Sequence, residues 1–328
     1  MRCWGLPIIR YAPLHEIEDD RSVDLIVSAG TWEAVSGSLR LKTATRTEVN
    51  QATIEYWDAL TSKLSGDVVY AVGGGLAADA AKYAASKTGK PLVCIPTAIS
   101  VDAFLTWASG YRESGCVRYI ETKPPDEVVI DFEIIANAPA AISAAGITDV
   151  LSIATGRRDW KFAHDAGRNP SDMDYDKEID AVAEGILRAS LQCAACAGEG
   201  ETAGLRRLVE CLALEVQLCN LIGHSRPEEG SEHYFAYAAE EVLGKGLPHG
   251  DLVGPGIAIM AYYQGQDVVP LTDAMRACNV PLDNISDSTI REILLTLPGY
   301  CEKHELPYGI AHTLQPQDVD NFDPTILK

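Results

Sequence analysis

The chain alternates short apolar runs with longer segments whose apolar positions recur at helical spacing. Val68, Val69, Tyr70, Ala71 and Val72 form an unbroken apolar run, which predicts a buried strand. It stops at Gly73, Gly74 and Gly75, after which Ala77, Ala80, Ala81 and Ala84 mark one face of a helix. A second apolar run, 92–95, closes at Pro96. Strand, glycine turn, helix and strand in this order make the right-handed unit from which parallel sheets are built. Around it, 6–11 and 23–28 predict strands, 32–38 a turn or two of helix, and 39–45 a partly exposed strand. Residues 47–64 predict a helix with Val49, Ile54, Trp57 and Leu60 facing inward. Residues 102–116 show no period and predict a loop, while 117–120 and 128–130 predict strands on either side of Lys123-Pro124-Pro125. From 134 onward the pattern is helical almost throughout. The expected fold class is an α/β Rossmann-like N-terminal domain over residues 1–140 followed by an all-α domain over 141–328.

Composition narrows the partners. A formal net charge of −20 with no basic stripe excludes nucleic acid, and an anionic substrate would need a locally basic pocket. No apolar run reaches the roughly 18 residues a membrane span requires, so no membrane partner is expected. The nine cysteines are odd in number and no signal peptide is visible, which predicts a reducing cytoplasm. Cys193-Ala-Ala-Cys196 sits in a predicted helix without a second pair, so packing rather than zinc explains it. Asp172, Asp174, Asp176 and Asp180 resemble part of a calcium loop, but the glycine and terminal Glu are misplaced, and a solvated loop is expected.

Two stretches carry candidate chemistry. Glycines where a helix begins let backbone N–H groups approach an anion such as a diphosphate, and Gly73, Gly75 and Ala78 fit the spacing of a dinucleotide turn. The acid that such a turn wants about twenty residues on is missing, because 92–97 holds none, so tight packing is the competing explanation. In the helical half, Asp149 lies near a helix start, His233 follows a Ser231 able to cap its helix, and His249 sits in a turn before an apolar helix. One carboxylate and two imidazoles on separate helices would make a three-ligand site with an open position for Zn²⁺ or Fe²⁺. His164, His224, His304 and His312 compete for the same role.

The order of these pieces resembles a known family. GGGLAADAAK (73–82) is followed by Pro96-Thr97 and Ser100-Val101-Asp102, then Lys123-Pro124-Pro125, Val129-Ile130-Asp131 and Ala144-Ala145-Gly146 with Asp149. Ser225-Arg226-Pro227, Gly230-Ser231-Glu232-His233 and His249-Gly250 complete the series. The chain is similar to the sn-glycerol-1-phosphate dehydrogenases, within the superfamily of iron-containing alcohol dehydrogenases, glycerol dehydrogenases and 3-dehydroquinate synthases. The resemblance implies a dehydroquinate synthase-like architecture with an active site in the cleft between the domains, and a homo-oligomer. It implies that Gly73, Gly74, Gly75, Asp79, Thr97 and Ser100 bind NAD or NADP. It makes Asp149, His233 and His249 the ligands of Zn²⁺ or Fe²⁺, places Asp102 near substrate, and offers Lys123 as a phosphate contact. The implied activity is metal-dependent, NAD(P)-linked oxidation or reduction of a small, phosphorylated polyol. A lyase or cyclase of the 3-dehydroquinate synthase type, or a non-catalytic relative, are the alternatives. The chain departs from the family pattern at Leu76, at Ala103-Phe104-Leu105-Thr106-Trp107, at Ile153-Ala154-Thr155 and at Tyr237, and is shorter before the glycine turn.

Overall fold

A computed structural model describes residues 3–244 and 246–328. Its strands are β1 (Ile8–Tyr11), β2 (Glu18–Ser28), β3 (Arg40–Val49), β4 (Val68–Gly73), β5 (Leu92–Pro96), β6 (Ala108–Glu113), β7 (Cys116–Glu121) and β8 (Glu127–Ile130). Six of them form one sheet in the order β1-β8-β5-β4-β2-β3, every pair parallel. Helices α1 (Thr31–Val35), α2 (Ile54–Thr61) and α3 (Gly75–Thr88) make the crossovers from β2 to β3, β3 to β4 and β4 to β5, and α4 (Phe132–Ala136) follows β8. Every residue of β4 and β5 is buried, which is why these strands read as continuous apolar runs rather than alternating ones. From β2 the chain first moves to one side to form β3, then crosses to the other side of β2 to form β4. The order therefore reverses between β2 and β4, and ligands of open parallel sheets bind at the carboxyl ends of strands at such a point.

Three expectations are corrected here. Residues 47–49 belong to β3, and the helix is the shorter α2. Thr43, Thr45 and Thr47 alternate along that segment and favour a pleated strand, while Thr53 starts the helix by accepting the Tyr56 N–H. Residues 102–116 are not all loop, because 108–113 form β6, paired antiparallel with β7. Ser114 and Gly115 turn this hairpin with φ of 53° and 77°, the left-handed pair a two-residue hairpin loop requires. Finally, β2 starts at Glu18 rather than Val23, with a register shift against β3 between Asp19 and Ser22.

The contacts divide the chain into two compact units, the first spanning Trp4–Pro139 and the second containing Ala140–Lys328. The second holds α5 (Ala140–Ser143), α6 (Ile147–Leu151), α7 (Ile153–Asp165), α8 (Lys177–Gly198), α9 (Thr202–Ile222), α10 (Ser231–Leu243), α11 (His249–Tyr263), α12 (Val269–Ala277), α13 (Asp287–Lys303) and α14 (Pro316–Asp320). Among the described residues no helix is long and apolar enough to cross a membrane.

A buried carboxylate ties the sheet together at its other edge. Asp24 on β2 is fully buried and accepts from the Thr45 hydroxyl (2.7 Å), the Ser65 and Gly66 N–H groups (3.1 and 2.9 Å) and Lys90 Nζ (2.9 Å). Burial raises this carboxyl, but the bonds from Lys90, Thr45, Gly66 and Ser65 outweigh it and hold the group below its ordinary value. Asp24→Ala leaves those donors and the Lys90 charge without their acceptor and should cost about 3–5 kcal/mol in urea unfolding. Because folding lowers the pKa, the ionic share of this stabilisation is complete above the unfolded value near pH 4 and is lost as pH falls through the folded one. The stability gap between wild type and Asp24→Asn should therefore narrow between pH 7 and pH 3.

Candidate metal centre and glycine turn

Three helix starts in the second unit bring one carboxylate and two imidazoles together. Asp149 is the third residue of α6, His233 the third of α10 and His249 the first of α11. One ligand atom from each lies within 4.8 Å of the others, and Asp149 Oδ1 stands 3.0 Å from His249 Nε2. Asp149 and His233 are buried, and the two imidazole rings are 5.4 Å apart between centroids. This is the one such group of three or more among the described residues, so His164, His224, His304 and His312 do not compete. A carboxylate oxygen and two imidazole nitrogens form the donor set that Zn²⁺ or Fe²⁺ accepts while keeping a position open.

The electrostatics favour a cation. His233 Nδ1 lies 2.9 Å from Glu232 Oε1, and Glu229 and Asp149 act on the same ring. Burial pulls the His233 imidazole down, but its bond to Glu232 and the charges of Glu232, Glu229 and Asp149 outweigh that and push it up to about 9. A divalent ion would take the place of the proton these carboxylates attract. Glu229 is itself held by the Tyr237 and Ser225 hydroxyls, both at 2.7 Å.

The start of α10 is anchored differently from the sequence expectation. Gly230 is the capping residue, and the Ser231 hydroxyl donates to Asp159 instead of capping its own helix. Asp159 on α7 is fully buried and also accepts from the Ser231 N–H (2.8 Å), the Ile310 N–H (3.0 Å) and Gln264 Nε2 (2.9 Å). Neither Glu232 nor Asp159 was singled out as a candidate, because a Glu beside a His and an Asp in mid-helix carry no spacing signal.

In the first unit, the glycine turn divides its labour. Gly73 has φ +136°, and a Cβ there would collide with the Ser28 hydroxyl. A Cβ on Gly75 would come 2.8 Å from Val101 Cγ2. Both glycines serve close packing. A Cβ on Gly74 would meet only Ser100 Oγ, at 3.4 Å. Gly74 is the capping residue of α3, its N–H donates to Ser28 Oγ (3.1 Å), and Thr97 N–H donates to Gly73 O (3.3 Å). Gly73–Gly75, Thr97 and Ser100 thus share the carboxyl edge of the sheet with Ser28, a residue the sequence reading did not single out. Asp102 follows in the same segment, half-buried, its carbonyl accepting from Leu105 N–H.

Two other residues face elsewhere. Asp79 pairs with the fully buried Lys82 at 3.0 Å. Lys82 donates in turn to Thr106 Oγ1 (2.7 Å) and to Ala108 O, and Ser109 Oγ donates to Asp79 O (2.9 Å), so this pair fastens α3 to β6. Lys123 lies at the opposite edge. It pairs with Asp126 at 2.7 Å and approaches Lys90 O, which precedes β5. That is the amino edge of the sheet, a five-residue strand or roughly 16 Å from the glycine turn.

Residues 11–139 match the iron-containing alcohol dehydrogenase family. Glycerol-1-phosphate dehydrogenase (NAD(P)+) from Sulfurisphaera tokodaii is 30% identical over 273 residues, covering 82% of this chain and 74% of that one. The Pyrococcus abyssi protein of the same name is 32% identical over 249 residues, 75% of this chain and 67% of its own. The chain belongs to the glycerol-1-phosphate dehydrogenase family, within the iron-containing alcohol dehydrogenases. The fold agrees with solved members of that superfamily. A probable glycerol dehydrogenase from Sinorhizobium meliloti 1021 superposes with a TM-score of 0.70 at 20% identity, covering 99% of this chain and 97% of that one. A sulfoacetaldehyde reductase from Bifidobacterium kashiwanohense, solved with NAD+, gives 0.58 at 17% identity over 89% and 90%. Departures of this family member from the pattern find partners within its own fold: Tyr237 holds Glu229, and Thr106 holds Lys82.

Replacing Asp149, His233 or His249 singly by Ala should each abolish stoichiometric Zn²⁺ or Fe²⁺ in purified protein, measured by elemental analysis; retention by all three would exclude a shared ion. Lys123→Ala removes a partly exposed ion pair worth about 0.5 kcal/mol and should leave KM for a phosphorylated substrate within twofold of wild type. A tenfold rise in KM would make Lys123 a phosphate contact.

Proposed function

We propose that the protein is a metal-dependent, NAD(P)-linked dehydrogenase of a small polyol phosphate, of the glycerol-1-phosphate and dihydroxyacetone phosphate type. The observation that carries this reading is the convergence of Asp149, His233 and His249 to within 4.8 Å in surroundings rich in carboxylate. The names of the relatives at 30–32% identity point to the same chemistry and to both nicotinamide cofactors. Asp149, His233 and His249 would hold Zn²⁺ or Fe²⁺, which when bound acts as a Lewis acid on an alcohol or carbonyl oxygen. The start of α3 offers N–H groups and the positive end of a helix to the cofactor diphosphate, with Gly74, Thr97 and Ser100 around it. The bare face of Gly74 lets the backbone make that approach. Asp102, in the segment after Ser100, is the residue proposed to orient substrate.

The lyase or cyclase alternative recycles its cofactor, so net stoichiometry decides between them. With dihydroxyacetone phosphate, the metal-loaded protein should oxidise one NADH or NADPH per glycerol phosphate formed; release of inorganic phosphate without net oxidation would overturn the proposal. Gly74→Val places a branched side chain where only Ser100 Oγ is near, so the fold should tolerate it. NAD(P) binding by titration should weaken at least about tenfold, the loss of roughly 1.4 kcal/mol that blocking one backbone contact implies.

A further inference from the structure

The first turn of α10 contains a group that the proposed reaction does not use directly. Glu232 is fully buried. Its Oε1 accepts the Gly230 N–H at 2.6 Å and lies 2.9 Å from His233 Nδ1, while Oε2 is buried without a hydrogen bond. Capping its own helix does not explain this arrangement. A Glu can satisfy a first-turn N–H from the surface, whereas burying a carboxylate costs several kcal/mol unless a positive partner offsets it. Nor is the residue free to withdraw. A Cβ on Gly256 would meet the Glu232 carbonyl oxygen at 2.5 Å, so α11 packs directly on the backbone of this residue. That helix begins with His249, and one helix contact therefore fixes the relative positions of both histidines.

We propose that Glu232 is a positioning residue for the metal: it holds the proton on His233 Nδ1 and so turns Nε2 toward the ion. The inference rests on the reading that Asp149, His233 and His249 share a metal. A carboxylate behind a ligating imidazole fixes its tautomer and ring orientation and raises its basicity, and removing such a partner typically weakens metal binding about 10–100-fold. Here the same carboxylate adds a negative charge to a site that must balance a dication. Glu229, held by the Tyr237 hydroxyl at 2.7 Å, acts on the same ring through its charge.

The test uses full-length protein and Co²⁺, titrated against a competing chelator. Wild type should bind one ion per chain, Glu232→Gln should bind it at least tenfold more weakly with a shifted d–d absorption spectrum, and Glu232→Ala more weakly still. Melting temperatures of the metal-free proteins separate this loss from unfolding. A measurement on the wild type does not depend on a variant folding: ¹⁵N-histidine spectra of the Zn²⁺-loaded protein should show His233 protonated at Nδ1 and ligated through Nε2. Equal affinity and an unshifted spectrum in Glu232→Gln, or ligation through Nδ1, would overturn the role of Glu232 and leave the metal site standing. A wild-type chain that takes up no Co²⁺ or Zn²⁺ would remove both.

Discussion

Burial of negative charge at the start of α10 is the constraint on which the second unit turns. Asp149, Asp159 and Glu232 are all removed from water, and Glu229 acts on the same histidine. The buried guanidinium of this region, Arg226, gives its hydrogen bonds to the Tyr234 hydroxyl and the Tyr308 carbonyl. Asp159 accepts from four hydrogen-bond donors, yet burial and the charge of Glu232 still raise its carboxyl above the ordinary value. Asp149 and Glu232 instead meet the two imidazoles, which supply at most a proton each. Carboxylates can stay ionised in such a place only beside a positive partner. A divalent ion held where the ligand atoms of Asp149, His233 and His249 converge would supply such a partner.

Helix starts make this arrangement both precise in position and electrostatically awkward. Each ligand sits in the first turn of its helix, where side chains are fixed by capping and packing, but where the helix dipole is positive and opposes a cation. Acidic residues stand in those first turns, Asp149 in α6, Glu232 in α10 and Asp251 in α11, where a negative side chain complements the dipole. The same residues that prepare the site for an ion therefore also stabilise the helix ends that carry it.

Much of this was legible in the chain. Continuous apolar runs announced β4 and β5 because strands buried on both faces leave no polar positions, and the ligand triad stood out through motif order. What escaped the pattern did so for physical reasons. The strand β3 is an edge strand, mostly exposed, so its threonines alternate without an apolar face and its end blends into the next helix. The hairpin β6–β7 is polar on its outer residues and is fixed by contacts such as Lys82 to Ala108 that lie 26 residues apart in sequence. Lys123 carries the charge a phosphate contact needs, but its approach to Lys90 O at the start of β5 follows from the pairing of β5 with β8, which composition does not encode. Glu232 gave no signal because its role depends on a bond to the neighbouring residue in a buried turn.

The two candidate sites make opposite electrostatic demands, and each lies in its own unit. A dication needs an excess of buried carboxylate, as around His233. A diphosphate needs donors and no nearby anion, and the glycine turn supplies them from backbone rather than from lysine. Asp79, the acid on α3 closest in sequence to the turn, is tied to Lys82, so its charge is met locally. In a chain with a net charge of −20, backbone N–H groups and a helix end would let an anion bind there without a cluster of basic side chains. Gly73 and Gly75 are demanded by packing against Ser28 and Val101, whereas Gly74 is the glycine whose missing side chain the fold itself does not require.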